Sequence, residues 1–237
     1  MAPVPKSLST RIRVDAAVRT RFPAFEGRLV YALDIENGPS DAHTRALLSA
    51  AAEHALASAG GAPAAHPRIA AWRDAYRAFG AKASAYPCSV EALLQRARKG
   101  GAAALPAINR LVDAYNAVSL QHLLPVGGED LDRLVGDLVL RFATGDESFD
   151  GTEAGAAESG AAVIPGEVVW ADDAGVTCRR WNWRQGRRTR LTEASRNAYF
   201  IIEGMGAASD VLDAAAAALA EHARALANAR NVYVLPL

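Results

Sequence analysis

The chain has 237 residues, ample for a sizeable core, and 51 % of them are apolar, much of that alanine. Its 26 basic residues balance its 26 acidic ones, so any contact with nucleic acid must come from a local patch. No apolar run reaches the ~18 residues of a membrane-spanning helix, and Cys88 and Cys178 sit in no paired or metal-binding motif.

The first 15 residues lack the apolar core of a signal peptide. With two isolated cysteines, the chain points to a reducing, cytoplasmic setting. Residues 11–14 and 29–35 alternate as strands. Ser40 is placed to cap a helix reaching Ser58, with Gly60 and Gly61 as its stop. Pro67 suits the first turn of a second helix, in which Ile69, Trp72, Tyr76 and Phe79 form an apolar stripe and Gly80 ends the run. Ser89 reads as the N-cap of a helix over residues 90–98, closed by Gly100. Lys82, Ser84 and Ser89 lie on or beside the preceding loop. There they either hold a phosphate at the helix N-terminus or belong to an ordinary capped loop. Cys88 has no base beside it and reads as a structural thiol.

Residues 106–142 predict helix, loop and strand. On the helical wheel Ile108, Leu111, Val112, Tyr115 and Val118 share a core stripe, while Asn109, Asp113 and Asn116 share a narrower polar stripe beside it. A carboxylate and two carboxamides at the edge of a core face can hold a water or a substrate. Pro125 ends the helix, and Gly127 and Gly128 let backbone approach something closely. Residues 136–143 predict a strand, and residues 144–160 a mobile loop rich in small and acidic residues.

Residues 167–171 and 176–183 flank a hairpin turn at residues 172–175. Its far end, residues 178–190, interleaves Arg179, Arg180, Arg184, Arg187, Arg188 and Arg190 with Trp181 and Trp183. On a strand the two tryptophans share one face, and Arg180, Asn182 and Arg184 the other. Six arginines in one hairpin need anionic partners. The segment therefore reads as an RNA-facing patch, with a salt-bridged surface hairpin as the alternative. Residues 198–203 predict a strand, Ser209 caps an alanine-rich helix over residues 211–227, and residues 232–235 form a last strand stopped by Pro236.

Some of these residues also carry a family resemblance. Ile108-Asn109, Val112-Asp113, Asn116, Val118, Pro125, Asp130, Leu138 to Arg141 and Gly145-Asp146-Glu147 resemble the editing domain of the beta subunit of phenylalanyl-tRNA synthetase, and the likeness spans about residues 72–204. The resemblance implies a free-standing, single compact α+β domain over residues 1–237, with a central β-sandwich-like core flanked by helices. It implies a trans-editing aminoacyl-tRNA deacylase whose partner is mischarged tRNA, with neither DNA nor membrane involved. It places Asn116 on a pocket asparagine, Arg110 on an arginine, Tyr115 where the synthetase has threonine, and Gly127 where it has the pocket histidine. The nearest match to its pocket glutamate is Glu203. The departures at Tyr115 and Gly127 speak against the synthetase's tyrosine specificity. His122 falls on the core stripe with Val118 and reads as structural.

Deacylation is attack of water on an already activated ester. The protein must position water, stabilise the developing oxyanion and shape a pocket. No Ser-His-Asp or Cys-His arrangement is evident and none is required. The five histidines show no metal-ligand spacing, so neither metal nor cofactor is expected. Asn116, Asp113 and Glu203 are the candidate catalytic residues, with Asp113 more a support for Asn116 than a base. Asn109, Tyr115, Gly127 and Gly128 are candidate substrate contacts. The two glycines either donate backbone N–H groups to the ester oxygen or simply turn the chain. Lys82, Arg179, Arg180, Arg184, Arg187 and Arg188 are candidate tRNA contacts. Amides and carboxylates in a small cavity suit a polar or cationic side chain. One group of free-standing relatives deacylates tRNA(Arg) carrying canavanine, which makes canavanyl-tRNA(Arg) the leading substrate. The alternative is a non-catalytic tRNA- or amino-acid-binding protein that kept the fold.

Overall fold

The computed structural model describes residues 4–60, 62–151 and 162–237. In chain order the elements are α1 (Lys6–Ser9), β1 (Ile12–Val14), α2 (Ala16–Arg21), β2 (Phe25–Leu33), α3 (Ala42–Ala59), α4 (Pro67–Ala78), α5 (Ser89–Gly100), α6 (Arg110–His122), β3 (Val126–Asp130), β4 (Leu138–Phe142), β5 (Val168–Asp172), β6 (Gly175–Arg179), β7 (Arg184–Gln185), β8 (Asn197–Met205), α7 (Ser209–Ala227) and β9 (Asn231–Pro236). One open sheet has the order β1-β4-β5-β6-β7, in which only β1 and β4 pair in parallel. The other has the order β3-β8-β2-β9 and is antiparallel throughout.

The two-residue period of the strands sets the layers. Along β8, Tyr199, Ile201 and Met205 join a core with Leu29 and Tyr31 of β2 and with Leu140, Trp170 and Cys178 of the first sheet. The alternate residues Ala198, Phe200 and Ile202, with Val30 and Ala32 of β2, pack under α6 and α7. The second sheet is thus buried on both faces, by the first sheet on one side and by helices on the other. The result is the mixed α+β, sandwich-like core that the resemblance implied. In α7, Leu212, Ala215, Ala216, Leu219, Ala220 and Ala223 recur at spacings that keep one narrow face on the sheet. Among the described residues no helix is long and apolar enough to cross a membrane.

Several boundaries differ from the sequence reading, each for a local reason. β2 starts at Phe25 rather than residue 29, because Phe25 and Gly27 still pair with Met205 and Glu203. Asp41, not Ser40, caps α3: its side chain accepts the Thr44 N–H at 2.9 Å and the Thr44 hydroxyl accepts the Asp41 N–H at 3.1 Å. Ser40 instead donates to Asp113 at 2.5 Å. Ser89 lies inside α5, Cys88 holds the cap position without a side-chain bond, and the Ser89 hydroxyl is buried with no partner. Ser209 likewise lies inside α7 and donates to Glu26 at 2.7 Å. Ile108 precedes the N-cap of α6, so it leaves the core stripe and is 53 % exposed. Of the 144–160 loop, residues 152–160 lie outside the described residues.

Candidate functional site

A cavity of about 250 Å³ opens between α5, the side of α6, and strands β3, β6, β7 and β8. Two glutamates form its buried floor, Glu129 on β3 and Glu203 on β8. Tyr115, Trp170, Trp181 and Tyr199 supply aromatic wall, Asn116 lines one side, and Arg96, Trp183 and Arg184 stand at the more exposed mouth. Strand parity puts the glutamates there. Glu203 shares a β8 face with Tyr199 and Ile201, and Glu129 shares a β3 face with Gly127.

Glu203 is held from both sides. The Trp170 indole N–H donates to one oxygen at 3.1 Å and the Asn182 carboxamide donates to the other at 2.8 Å. Asn182 in turn accepts the Tyr76 hydroxyl at 2.9 Å, so a chain of hydrogen bonds runs from α4 into the site. The Trp181 N–H lies beside Glu203 without closing a hydrogen bond. Burial pushes the Glu203 carboxyl up to about 7, against the pull of the Asn182 and Trp170 bonds. Glu129 is also pushed up to about 7 by burial, and it accepts a hydrogen bond from the Tyr199 hydroxyl. The Thr177 and Thr189 hydroxyls lie near it without closing hydrogen bonds. The Asn116 carboxamide is buried at the cavity wall and hydrogen-bonds to no other described residue.

The polar stripe of α6 divides. Asn109 is the N-cap: its side chain accepts the Val112 N–H at 2.9 Å and donates to the Leu191 carbonyl. Asp113 is fully buried and takes hydrogen bonds from Ser40, Thr44 and the Ile108 N–H. Both belong to the helix start, and neither lines the cavity. Arg110 pairs with Asp41 at 2.9 Å, away from it. Gly127 lines the cavity, but a Cβ on Gly128 would stand 2.4 Å from the Phe200 ring, so Gly128 serves close packing. The Gly128 carbonyl accepts from Gln185 at 3.3 Å, and the Asp130 N–H donates to the Thr189 carbonyl at 2.7 Å, which covers the outer edge of β3. His122 is half-buried at the far end of α6 and offers its carbonyl to Arg68.

The expected arginine face is also rearranged. Arg180 and Trp181 adopt left-handed backbone (φ 45° and 66°), so residues 180–183 form a turn rather than strand. The turn drives Trp181 into the core against Phe22, Phe25 and Trp72, with ring centroids 5.0–5.2 Å apart. It leaves Trp183 beside Tyr86 at the mouth. Arg179 is buried and grips Glu167 through two hydrogen bonds of 2.9 Å. Arg188 grips Asp172 at 2.6 and 2.9 Å. Arg180 lies 3.6 Å over Tyr86, and Arg187 donates to the Gly151 carbonyl at 2.7 Å. Only Arg184, 4.4 Å over the Trp183 ring, both belongs to this group and lines the cavity. Lys82 is exposed on its loop outside the cavity.

Sequence reasoning missed Glu129, Asn182, Trp170 and Arg96. The signal for Glu129 was its position two residues after Gly127, which on a strand means the same face. Cys178 borders the cavity and Cys88 does not. Both thiols are free and buried, and burial raises both above their ordinary value. Among the described residues no group of three or more His, Cys, Asp or Glu is arranged to hold a metal.

The family model described as the B3/4 domain matches residues 71–225. Among solved structures, an N-terminal fragment of the phenylalanyl-tRNA synthetase beta-subunit from Pyrococcus horikoshii is similar, with 9 % identity and a TM-score of 0.46. That match covers 94 % of this chain and 50 % of the other, so the chain spans about half the length of that structure. No curated protein matches.

Proposed function

This chain belongs to the B3/4 domain family, a domain found in the beta subunit of phenylalanyl-tRNA synthetase, and on that footing we propose that it is a tRNA-editing enzyme, an aminoacyl-tRNA deacylase acting in trans on mischarged tRNA. The observation that carries the reading is one cavity holding both a carboxamide that hydrogen-bonds to no other described residue, Asn116, and a buried carboxylate that burial pushes up to about 7, Glu203. Water attack on an ester needs a base near its own pKa and a donor for the oxygen that becomes negative. Glu203, oriented by Trp170 and by the Tyr76–Asn182 chain, takes the proton from the attacking water and returns it to the ribose oxygen as the ester C–O bond breaks. Asn116 donates to the oxyanion. Arg96 and Arg184 at the mouth meet the phosphate next to the terminal ribose. Few phosphates are contacted in this way, so the salt dependence of tRNA binding is shallow.

Canavanyl-tRNA(Arg) is the leading substrate. Arginine and canavanine differ by a methylene replaced by oxygen, a difference that a synthetase pocket rejects poorly. The acidic floor and aromatic walls suit a guanidinium-like group. The experiment is to charge tRNA(Arg) with arginine or canavanine and other tRNAs with non-cognate amino acids, then follow ester loss with purified protein. Rapid loss of canavanine with arginine spared supports the assignment. Equal loss of both, or hydrolysis only of another mischarged tRNA, removes canavanine as substrate. Tight tRNA binding with no turnover on any of them makes the chain a binding protein rather than an enzyme.

A further inference from the structure

We propose that Glu129 is a specificity-determining residue: its carboxylate makes the cavity select an amino-acid group that ends in a cation and turn away neutral aromatic ones. The proposal rests on the cavity being the aminoacyl site, and it assigns Glu129 a task separate from that of Glu203.

The first argument is a missing partner. Three other buried carboxylates pair with arginine: Glu91 with Arg73 at 2.6 Å, Glu167 with Arg179 at 2.9 Å and Asp172 with Arg188 at 2.6 Å. Asp113, Asp130 and Glu203 have no arginine, but N–H or hydroxyl donors bond both oxygens of each. Among the described residues Glu129 has no ion pair, and a hydrogen bond closes on one of its two oxygens alone, with the Thr177 and Thr189 hydroxyls standing near it. Its hydrogen bond comes from the Tyr199 hydroxyl. The groups facing it supply no cation. Arg188 is within electrostatic reach but is committed to Asp172. Tyr199 of β8, Tyr115 of α6 and Cys178 of β6 are held neutral by burial. A buried carboxylate without a counter-charge is costly, and a ligand's cation removes that cost.

The second argument is the cavity wall beside the two glutamates. The Trp181 N–H and the Thr177 hydroxyl line the same cavity in residues 0 % and 1 % exposed, and neither closes a hydrogen bond with another described residue. Unused polar groups on a cavity wall are what a polar ligand completes. The aromatic walls attract a cation through their ring faces. At the mouth the chain shows that geometry with its own Arg184, 4.4 Å over Trp183. About 250 Å³ falls short of the ~300–1,000 Å³ of drug-sized sites, so the cavity admits one amino-acid-sized group and not a nucleotide with it.

A charge consequence follows. Burial lifts Glu129 to about 7, so at slightly acid pH the cation must displace a proton, and affinity rises with pH through neutrality. The experiment is calorimetric titration of the protein with agmatine and with tyramine at pH 6 and pH 8. Both probes keep a charged amine over this range and differ at the far end. Agmatine should bind the more tightly and should gain affinity from pH 6 to pH 8. Glu129→Gln should weaken agmatine roughly 10- to 100-fold and leave tyramine nearly unchanged. Tyramine binding as tightly as agmatine, or Glu129→Gln leaving agmatine unaffected in a folded variant, overturns the proposal. If the variant does not fold, the wild-type comparison decides alone, and a flat agmatine affinity between the two pH values overturns it. Selective agmatine binding without turnover on any charged tRNA would refute the deacylase reading and leave this one standing.

Discussion

Asn109, Asp113 and Asn116 stand on one stripe of a helix, yet only Asn116 reaches the cavity. The reason is what else each can bond. Asn109 sits where four backbone N–H groups lack partners and is used as a cap, and Asp113 ties the residues before the helix to α3. Asn116→Ala should therefore lower deacylation by ~10- to 1000-fold with an unchanged melting temperature. Asp113→Ala should cost about 1–3 kcal/mol of stability, because it strands buried donors. Kinetics and thermal melts on the two variants check this, and a normal rate in Asn116→Ala would show that another group holds the oxyanion. Glu129 and Glu203 give a pH signature. Their folded values of about 7 lie above the ordinary 4.5, so the neutral forms stabilise the fold fully below about 4.5, and that stabilisation is lost as pH rises through 7. The loss is roughly 3 kcal/mol for each group. The melting temperature should fall from pH 5.5 to pH 8, and Glu203→Gln should flatten that fall. A melting temperature that rises over the same interval would mean that both carboxylates are ionised in the folded protein.

At the scale of elements, the β5–β6–β7 segment shows what a sequence displays and what it hides. The hairpin was legible because apolar residues flank an Asp-Asp-Ala-Gly turn; β5 stands where that pattern put it, while β6 ends at Arg179 instead of residue 183. The helices over Pro67–Ala78 and Ser209–Ala227 were legible for the same kind of reason, a three-and-four spacing of buried residues. The turn at Arg180 and Trp181 was not legible, because positive φ at side-chain-bearing residues leaves no local mark and is imposed by packing Trp181 among Phe22, Phe25 and Trp72. One displaced residue then reassigns every arginine after it. Glu129 was hidden likewise, since a Gly-Gly run looks like a loop until its partner strand is known. These arginines now separate experimentally. Arg179→Ala should cost about 3–5 kcal/mol by leaving Glu167 buried with only the 3.9 Å contact to Arg180 among the described residues, and urea titration measures it. Arg184→Ala should weaken tRNA binding and cost less stability than Arg179→Ala. Equal stability losses in the two would return both to a single surface patch.

For the whole molecule, one apolar core runs from Leu8 through α3, α4 and α5 to Tyr233 and includes residues of both sheets. We accordingly propose a single folding unit over residues 1–237. Fluorescence of the core tryptophans and far-ultraviolet circular dichroism should then melt together, and two separated transitions would divide the chain. The alternation along β8 has a consequence for how such a protein changes over generations. Phe200 and Ile202 bind the strand to α6 and α7, while Tyr199, Ile201 and Glu203 face the cavity. Mutations at neighbouring codons therefore fall under different selective pressures, one for holding the helical layer and one for what is admitted. A lineage can drift in ligand preference through Tyr199 and Ile201 while its scaffold is inherited intact, and a directed library confined to positions 199 and 201 should yield folded variants of altered selectivity more often than one at positions 200 and 202.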